Sequence, residues 1–257
     1  MESLVFHEKT AFMRKVVFYL LSVFRWSVHY FCTFFFIYLM PSFYRLLGKS
    51  KWRDFWGLFR IYSKISLWGF GVKLEVEDRS GGSIEGQCVM ASNHRSWLDQ
   101  VALLYALKQQ PHFFTKESYL DIPILGKGLK NHEAIPVSNK SVSHQTKEVV
   151  KKYLERGDAL LLFLEGTRGH GKKLLPFRFG AFKYASNYGL PLLPIYILGS
   201  EEVLSKKRTL LQINPGIIKI VIGRPQNISK ENFFKEKEEF EKQYKKEYYS
   251  LYEKFFS

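Results

Sequence analysis

The chain has 257 residues, 46% of them hydrophobic and 17% aromatic, and a formal net charge of +15 at pH 7. That apolar content excludes global disorder, and two isolated cysteines, Cys32 and Cys88, exclude a disulfide framework or a thiolate metal site and point to a reducing compartment. The charge calls for an anionic partner. With no nucleic-acid-binding motif or basic stripe, and with aromatics crowded near the N-terminus, an anionic membrane fits better than nucleic acid.

In chain order, the first unusual segment is Trp26 to Tyr44, WSVHYFCTFFFIYLMPSFY. It holds 19 residues without Asp, Glu, Lys or Arg, near the roughly 20 that span a bilayer. Pro41 is expected to end or kink it. Arg14, Lys15 and Arg25 precede it and Arg45 follows, a symmetry that suits a hairpin or an in-plane anchor better than a single span with one positive side. The competing reading is a buried core helix. Residues 1–60 are therefore expected to form an N-terminal hydrophobic helical membrane anchor.

From residue 72 the pattern becomes alternating short strands and helices. VKLEVE (72–77) alternates with period two, and GQCVMAS (86–92) is a buried-strand run. A helix is expected over 99–109, then a strand over PHFFTK (111–116) and another within 132–138. Val149, Val150, Tyr153 and Leu154 share one face of a helix that Gly157 closes. ALLLFLE (159–165) reads as a strand buried on both faces. A short helix ending at Gly189 and strands LPLLPIYI and IIKIVIG follow. This order implies an α/β layered fold with a largely parallel sheet over 61–227. Residues 228–257 read as a charged amphipathic helix packed on that domain, with a second membrane contact as the alternative.

In open α/β sheets, ligands bind beyond the carboxyl ends of the strands. SNHRSWLDQ (92–100) follows one strand and EGTR (165–168) another, so both fall on the same sheet edge. If a helix starts near Ser96, Asp99 lies in its first turn and the loop can fold back to set Asp99 against one ring nitrogen of His94. The other nitrogen then faces a pocket, giving a base and its orienting carboxylate without a protein nucleophile. Taken alone, a His–Asp pair is more often structural than catalytic. Gly166 and Thr167 make a tight turn, and Arg168 offers a planar fork suited to phosphate. Taken alone, that motif is equally a surface turn.

The ordered motifs carry a resemblance. N-H-R-S-W-L-D (93–99) resembles the N-H-x-x-x-x-D motif of the glycerolipid acyltransferases, and F-L-E-G-T-R (163–168) resembles their F-P-E-G-T-R. F-R-F-G-A-F-K (177–183) and L-P-L-L-P-I (190–195) are similar to the two blocks that follow. The bacterial 1-acyl-sn-glycerol-3-phosphate acyltransferase type is the nearest kind. The resemblance implies His94 as general base, Asp99 as its partner, and Glu165, Gly166, Thr167 and Arg168 as the acceptor-phosphate site. Two departures stand out. Leu164 replaces the family's proline. Asn139, after Ile135-Pro136-Val137-Ser138, stands where the family has arginine, so Lys116 or Lys140 is expected to supply the missing charge.

The expected reaction is acyl transfer from acyl-CoA or acyl carrier protein to a lysophospholipid hydroxyl, on the cytoplasmic face of the membrane. Backbone N–H groups near the helix start would hold the oxyanion, and no metal or redox cofactor is called for. Another lysolipid or aminolipid acceptor, or a non-catalytic lipid-binding protein of the same fold, are the alternatives.

Overall fold

The computed structural model describes residues 2–48, 55–82, 86–123, 125–138, 144–205 and 211–257. Among these, seven strands form one sheet: β1 (Val72–Asp78), β2 (Val89–Ser92), β3 (Pro111–Lys116), β4 (Ile135–Val137), β5 (Ala159–Phe163), β6 (Leu192–Leu198) and β7 (Gly216–Ile222). Their order is β1-β7-β6-β2-β5-β3-β4. Neighbours are parallel except β6 and β7, which run antiparallel, so β7 and β1 are reversed relative to the other five. The strands written as unbroken apolar runs, β2 and β6, lie centrally and are buried at every position. The alternating β1 takes one edge.

Successive residues of β2 feed two cores. Met90 packs on the face covered by α3 (Trp56–Gly69) and α4 (Leu98–Ala106), whereas Val89 and Ala91 pack on the other. The second face is covered by α6 (His144–Glu155), α7 (Gly180–Tyr188) and α9 (Phe233–Phe256). The tail helix α9 buries Phe240, Tyr244, Tyr248 and Leu251 there.

At the N-terminus, α1 (Glu2–Cys32) runs into a π-helical stretch, Thr33–Leu39, and then α2 (Met40–Leu46). Lys9–Leu46 is long and apolar enough to cross a membrane. Pro41 does not end the helix; it sits in the first turn of α2, directly after the π-helical stretch. A proline cannot donate to the carbonyl four residues back. That carbonyl, of Ile37, accepts Asn131 Nδ2 at 2.9 Å, and Asn131 Oδ1 accepts Arg45 Nη2 at 2.6 Å. Asn131 ends α5 (Leu125–Asn131), so one amide ties the N-terminal helices to the domain. The N-terminal segment is thus partly core, with Cys32 and Ile37 buried, and partly apolar surface.

Candidate active site

The site begins where β2 and β5 end side by side, with Ser92 paired to Phe163. The chains remain joined beyond the strands: Leu164 N–H donates to Ser92 O (2.8 Å) and Gly169 N–H to His94 O (2.8 Å). Parallel pairing therefore brings the two motif loops together, which neither achieves locally.

Asp99 organises the first loop. Its Oδ2 accepts the backbone N–H of Arg95 (2.6 Å) and of Ser96 (2.9 Å), and lies 2.7 Å from His94 Nδ1. An oxygen already accepting two N–H groups takes the ring N–H as its third donor, so the proton sits on Nδ1 and Nε2 keeps its lone pair. The imidazole stacks on Phe163 with centroids 3.9 Å apart. Its side chain is 16% exposed, enough to reach a ligand while the ring plane is held. Ser96 Oγ accepts Leu98 N–H at 3.2 Å, so it does serve the start of α4. These bonds occupy the N–H groups of Arg95, Ser96 and Leu98. Of the backbone donors expected near the helix start to hold an oxyanion, these three are spent on Asp99 and Ser96.

His94 opens onto a cleft of about 480 Å³. Gly166, Thr167 and Arg168 line it, as does Lys116 at the end of β3. The Arg168 guanidinium lies over the Trp97 ring, 5.2 Å from its centroid. Gly166 has φ +65°, a left-handed conformation that glycine adopts freely. Asn139 and Lys140 lie outside the described residues. Arg178 also lines the cleft, with its backbone N–H bonded to Leu164 O at 2.7 Å. Its place in the F-R-F-G-A-F-K block was the available signal, but it was not among the residues expected at the site.

Glu165 departs from the phosphate-binding role that the resemblance implies. It is not among the cleft-lining residues and its carboxylate is turned inward. Oε1 accepts His94 N–H at 3.2 Å and Oε2 accepts Leu175 N–H at 2.8 Å. Burial pushes its pKa above the ordinary value, against the pull of the nearby Arg95. It therefore acts as a brace for the His94 loop. The fully buried Arg95 stands behind that loop, Nη1 3.8 Å from Glu165 Oε2 and donating to Lys173 O at 3.1 Å. Gly169 makes room for it: a Cβ there would fall 2.1 Å from Arg95 Nη1 and 2.9 Å from Glu165 Oε2. Asn93 is braced from α9, its Oδ1 accepting the Tyr244 hydroxyl at 3.0 Å. Among the described residues, no cluster of three or more His, Cys, Asp or Glu suited to a metal ion occurs.

An Acyltransferase family model matches residues 73–198. The chain is 28% identical over 170 residues to the chloroplastic 1-acyl-sn-glycerol-3-phosphate acyltransferase BAT2 of Brassica napus, covering 65% of this chain and 48% of that protein. It is 29% identical over 163 residues to the 1-acyl-sn-glycerol-3-phosphate acyltransferase of Escherichia coli K12, covering 62% of this chain and 65% of that one. The chain thus spans about half the length of the plant relative and just under two thirds of the bacterial one. The crystal structure of the 1-acyl-sn-glycerophosphate acyltransferase PlsC of Thermotoga maritima shares the fold. Its TM-score is 0.75 at 21% identity, covering 93% of this chain and 97% of that one.

Proposed function

The chain belongs to the glycerolipid acyltransferase family, and from that premise we propose that it acylates the free hydroxyl of 1-acyl-glycerol-3-phosphate, giving phosphatidic acid. The observation that carries this reading is the His94–Asp99 pair, 2.7 Å apart, opening onto a cleft lined by Lys116, Arg168 and Arg178. His94 Nε2 takes the proton of the acceptor hydroxyl, and the oxygen attacks the thioester carbonyl of acyl-CoA or acyl carrier protein. Asp99 supports the imidazolium. The tetrahedral oxyanion is met by donors of Thr167 and Arg168, since the N–H groups of Arg95, Ser96, Leu98 and Gly166 are occupied. The C–S bond breaks, the thiolate takes the imidazolium proton, and the new ester leaves. Proton transfer of this kind is worth about 10²–10⁴-fold, so positioning supplies much of the rest.

Three cations around the cleft favour a phosphate monoester over a neutral or diester headgroup. Arg178 and Lys116 make up the charge that Asn139 lacks. The exposed apolar face of Lys9–Leu46 sits in or on the cytoplasmic leaflet, where thioester donors are found.

The test offers membranes carrying the protein labelled acyl-CoA or acyl carrier protein with a panel of lysolipids, products being identified by mass. Phosphatidic acid should dominate; faster acylation of a diester lysolipid overturns the acceptor assignment. His94→Ala should abolish turnover, by about 10³-fold or more, with membrane binding unchanged. Lys116→Ala and Arg178→Ala should raise the KM for lysophosphatidate roughly tenfold each, with smaller changes for the acyl donor.

A further inference from the structure

Behind Asp99, facing away from the cleft, lies a second polar assembly that the reaction as written does not use. α8 (Ser200–Val203) is docked against the catalytic loop by Ser96 Oγ, which donates to Leu204 O at 2.8 Å. This docking buries Glu201 to 5% exposure. Tyr248 of α9 closes the same space, with the Arg95 guanidinium 5.6 Å from its ring centroid. Among the described residues, Asp99 Oδ1 and Ser200 Oγ are buried there without a hydrogen-bond partner, and the buried Glu201 carboxylate meets no donor beyond its own backbone N–H. So many unmatched polar atoms in one place are costly, and such groups are kept where they serve the site rather than the fold.

We propose that Glu201 is a positioning residue for acyl transfer: enclosed with Arg95 behind Asp99, its carboxylate supports the positive charge that His94 acquires when it takes the acceptor's proton. The inference rests on the reading of His94 as the base. Asp99 spends Oδ2 on three N–H groups, and the Glu165 carboxylate, which also interacts with His94, is engaged by two backbone N–H groups and faces Arg95. A second carboxylate within the same water-poor enclosure adds to the field at the ring, because Coulomb interactions there reach further than in water. The charged and titratable groups facing Glu201 are Arg95 and Asp99 from the catalytic loop, Tyr248 and Tyr252 from α9, and Glu202 from α8, with Glu165 beyond Arg95. Burial, opposed by a hydrogen bond from its own backbone N–H and by Arg95 and reinforced by Asp99 and Glu202, pushes Glu201 from its ordinary value of 4.5 up to about 7. It is therefore neutral on the acid side of 7 and charged on the alkaline side.

The sign of each effect follows. Glutamine imitates the protonated carboxyl, so Glu201→Gln should resemble the wild type at low pH and lack the supporting charge at high pH. Stability runs the other way. A carboxyl whose folded value is raised contributes fully below 4.5, and that contribution is lost as pH rises through about 7. Above 7 the charged form burdens the fold, and Glu201→Gln relieves it.

The experiment uses the full-length membrane-bound protein with acyl-CoA and lysophosphatidate, measuring kcat and Tm from roughly pH 5 to 9. The wild-type to Glu201→Gln ratio of kcat should be near one at the acid end and rise to roughly tenfold at the alkaline end. The variant's Tm should exceed that of the wild type above pH 7. A ratio that is constant across pH, or one throughout, overturns the proposal. If Glu201→Gln does not fold, Glu201→Asp decides: a wild-type pH profile supports the role, and a pH-independent deficit removes it. Turnover by His94→Ala would overturn the base reading itself, whereas an inactive His94→Ala beside a pH-independent Glu201 ratio sinks this inference alone.

Discussion

The two terminal helices are both rich in aromatic residues, and the protein uses them in opposite ways. In α1, Phe24 is 60% exposed, and Phe12, Leu20 and Phe31 are exposed with it. In α9, Phe240 is 2% exposed, and Tyr244 and Tyr248 are buried beside it. The difference lies in where charged residues fall between the aromatic ones. Residues 240, 244 and 248 recur every four positions among Lys and Glu, which makes a single stripe that one sheet face can cover. From Trp26 to Tyr44 there is no charged residue on any side. A helix apolar all round has no solvent face, so what the domain leaves uncovered is suited to lipid.

The largest effect expected from breaking this comparison comes from charging the uncovered face. Because Cys32 and Ile37 belong to the core, deleting the segment up to residue 46 would damage the domain along with the anchor. The triple variant Phe12→Asp, Leu20→Asp, Phe24→Asp avoids that, at about 3 kcal/mol per charge placed in a bilayer. It should leave carbonate-washed membranes for the soluble fraction with its Tm unchanged. Retention would mean that these side chains do not meet lipid.

Next comes a matched pair. Phe240→Ala should cost about 3–5 kcal/mol in denaturant unfolding, because it empties a packed position between α9 and Phe182. Phe24→Ala should change stability by less than about 0.5 kcal/mol. Equal losses would erase the distinction between the two helices.

The smallest effect asks whether α9 also serves the site. Tyr244 bonds to Asn93 Oδ1 and Ile195 O and accepts the Asn93 N–H at 3.0 Å. Tyr244→Phe keeps the ring and loses those bonds, at about 1–2 kcal/mol. Because Asn93 leads directly into His94, kcat should fall a few-fold with KM nearly constant. A change in KM alone would indicate that the tyrosine acts on binding.

What the sequence disclosed follows from what each feature depends on. The strands and the two motif loops were legible because buried runs and strand-end loops are local patterns, and parallel pairing of β2 with β5 does the rest. Residue type disclosed less about direction. Glu165 belongs to the motif, yet its carboxylate faces inward to two backbone N–H groups. Pro41 was expected to end or kink the helix; the helix changes from π to α geometry beside it, and Asn131, 90 residues on, takes the carbonyl that the proline leaves. The Arg95–Asp99–Glu201–Tyr248 assembly draws on segments separated by over a hundred residues, and no spacing announces it.

Arg95 and Gly169 face each other so closely that no Cβ fits at 169 while the guanidinium keeps its place. Any larger residue at 169 therefore has to displace the ends of the Arg95 and Glu165 side chains, which couples position 169 to the brace that holds the His94 loop.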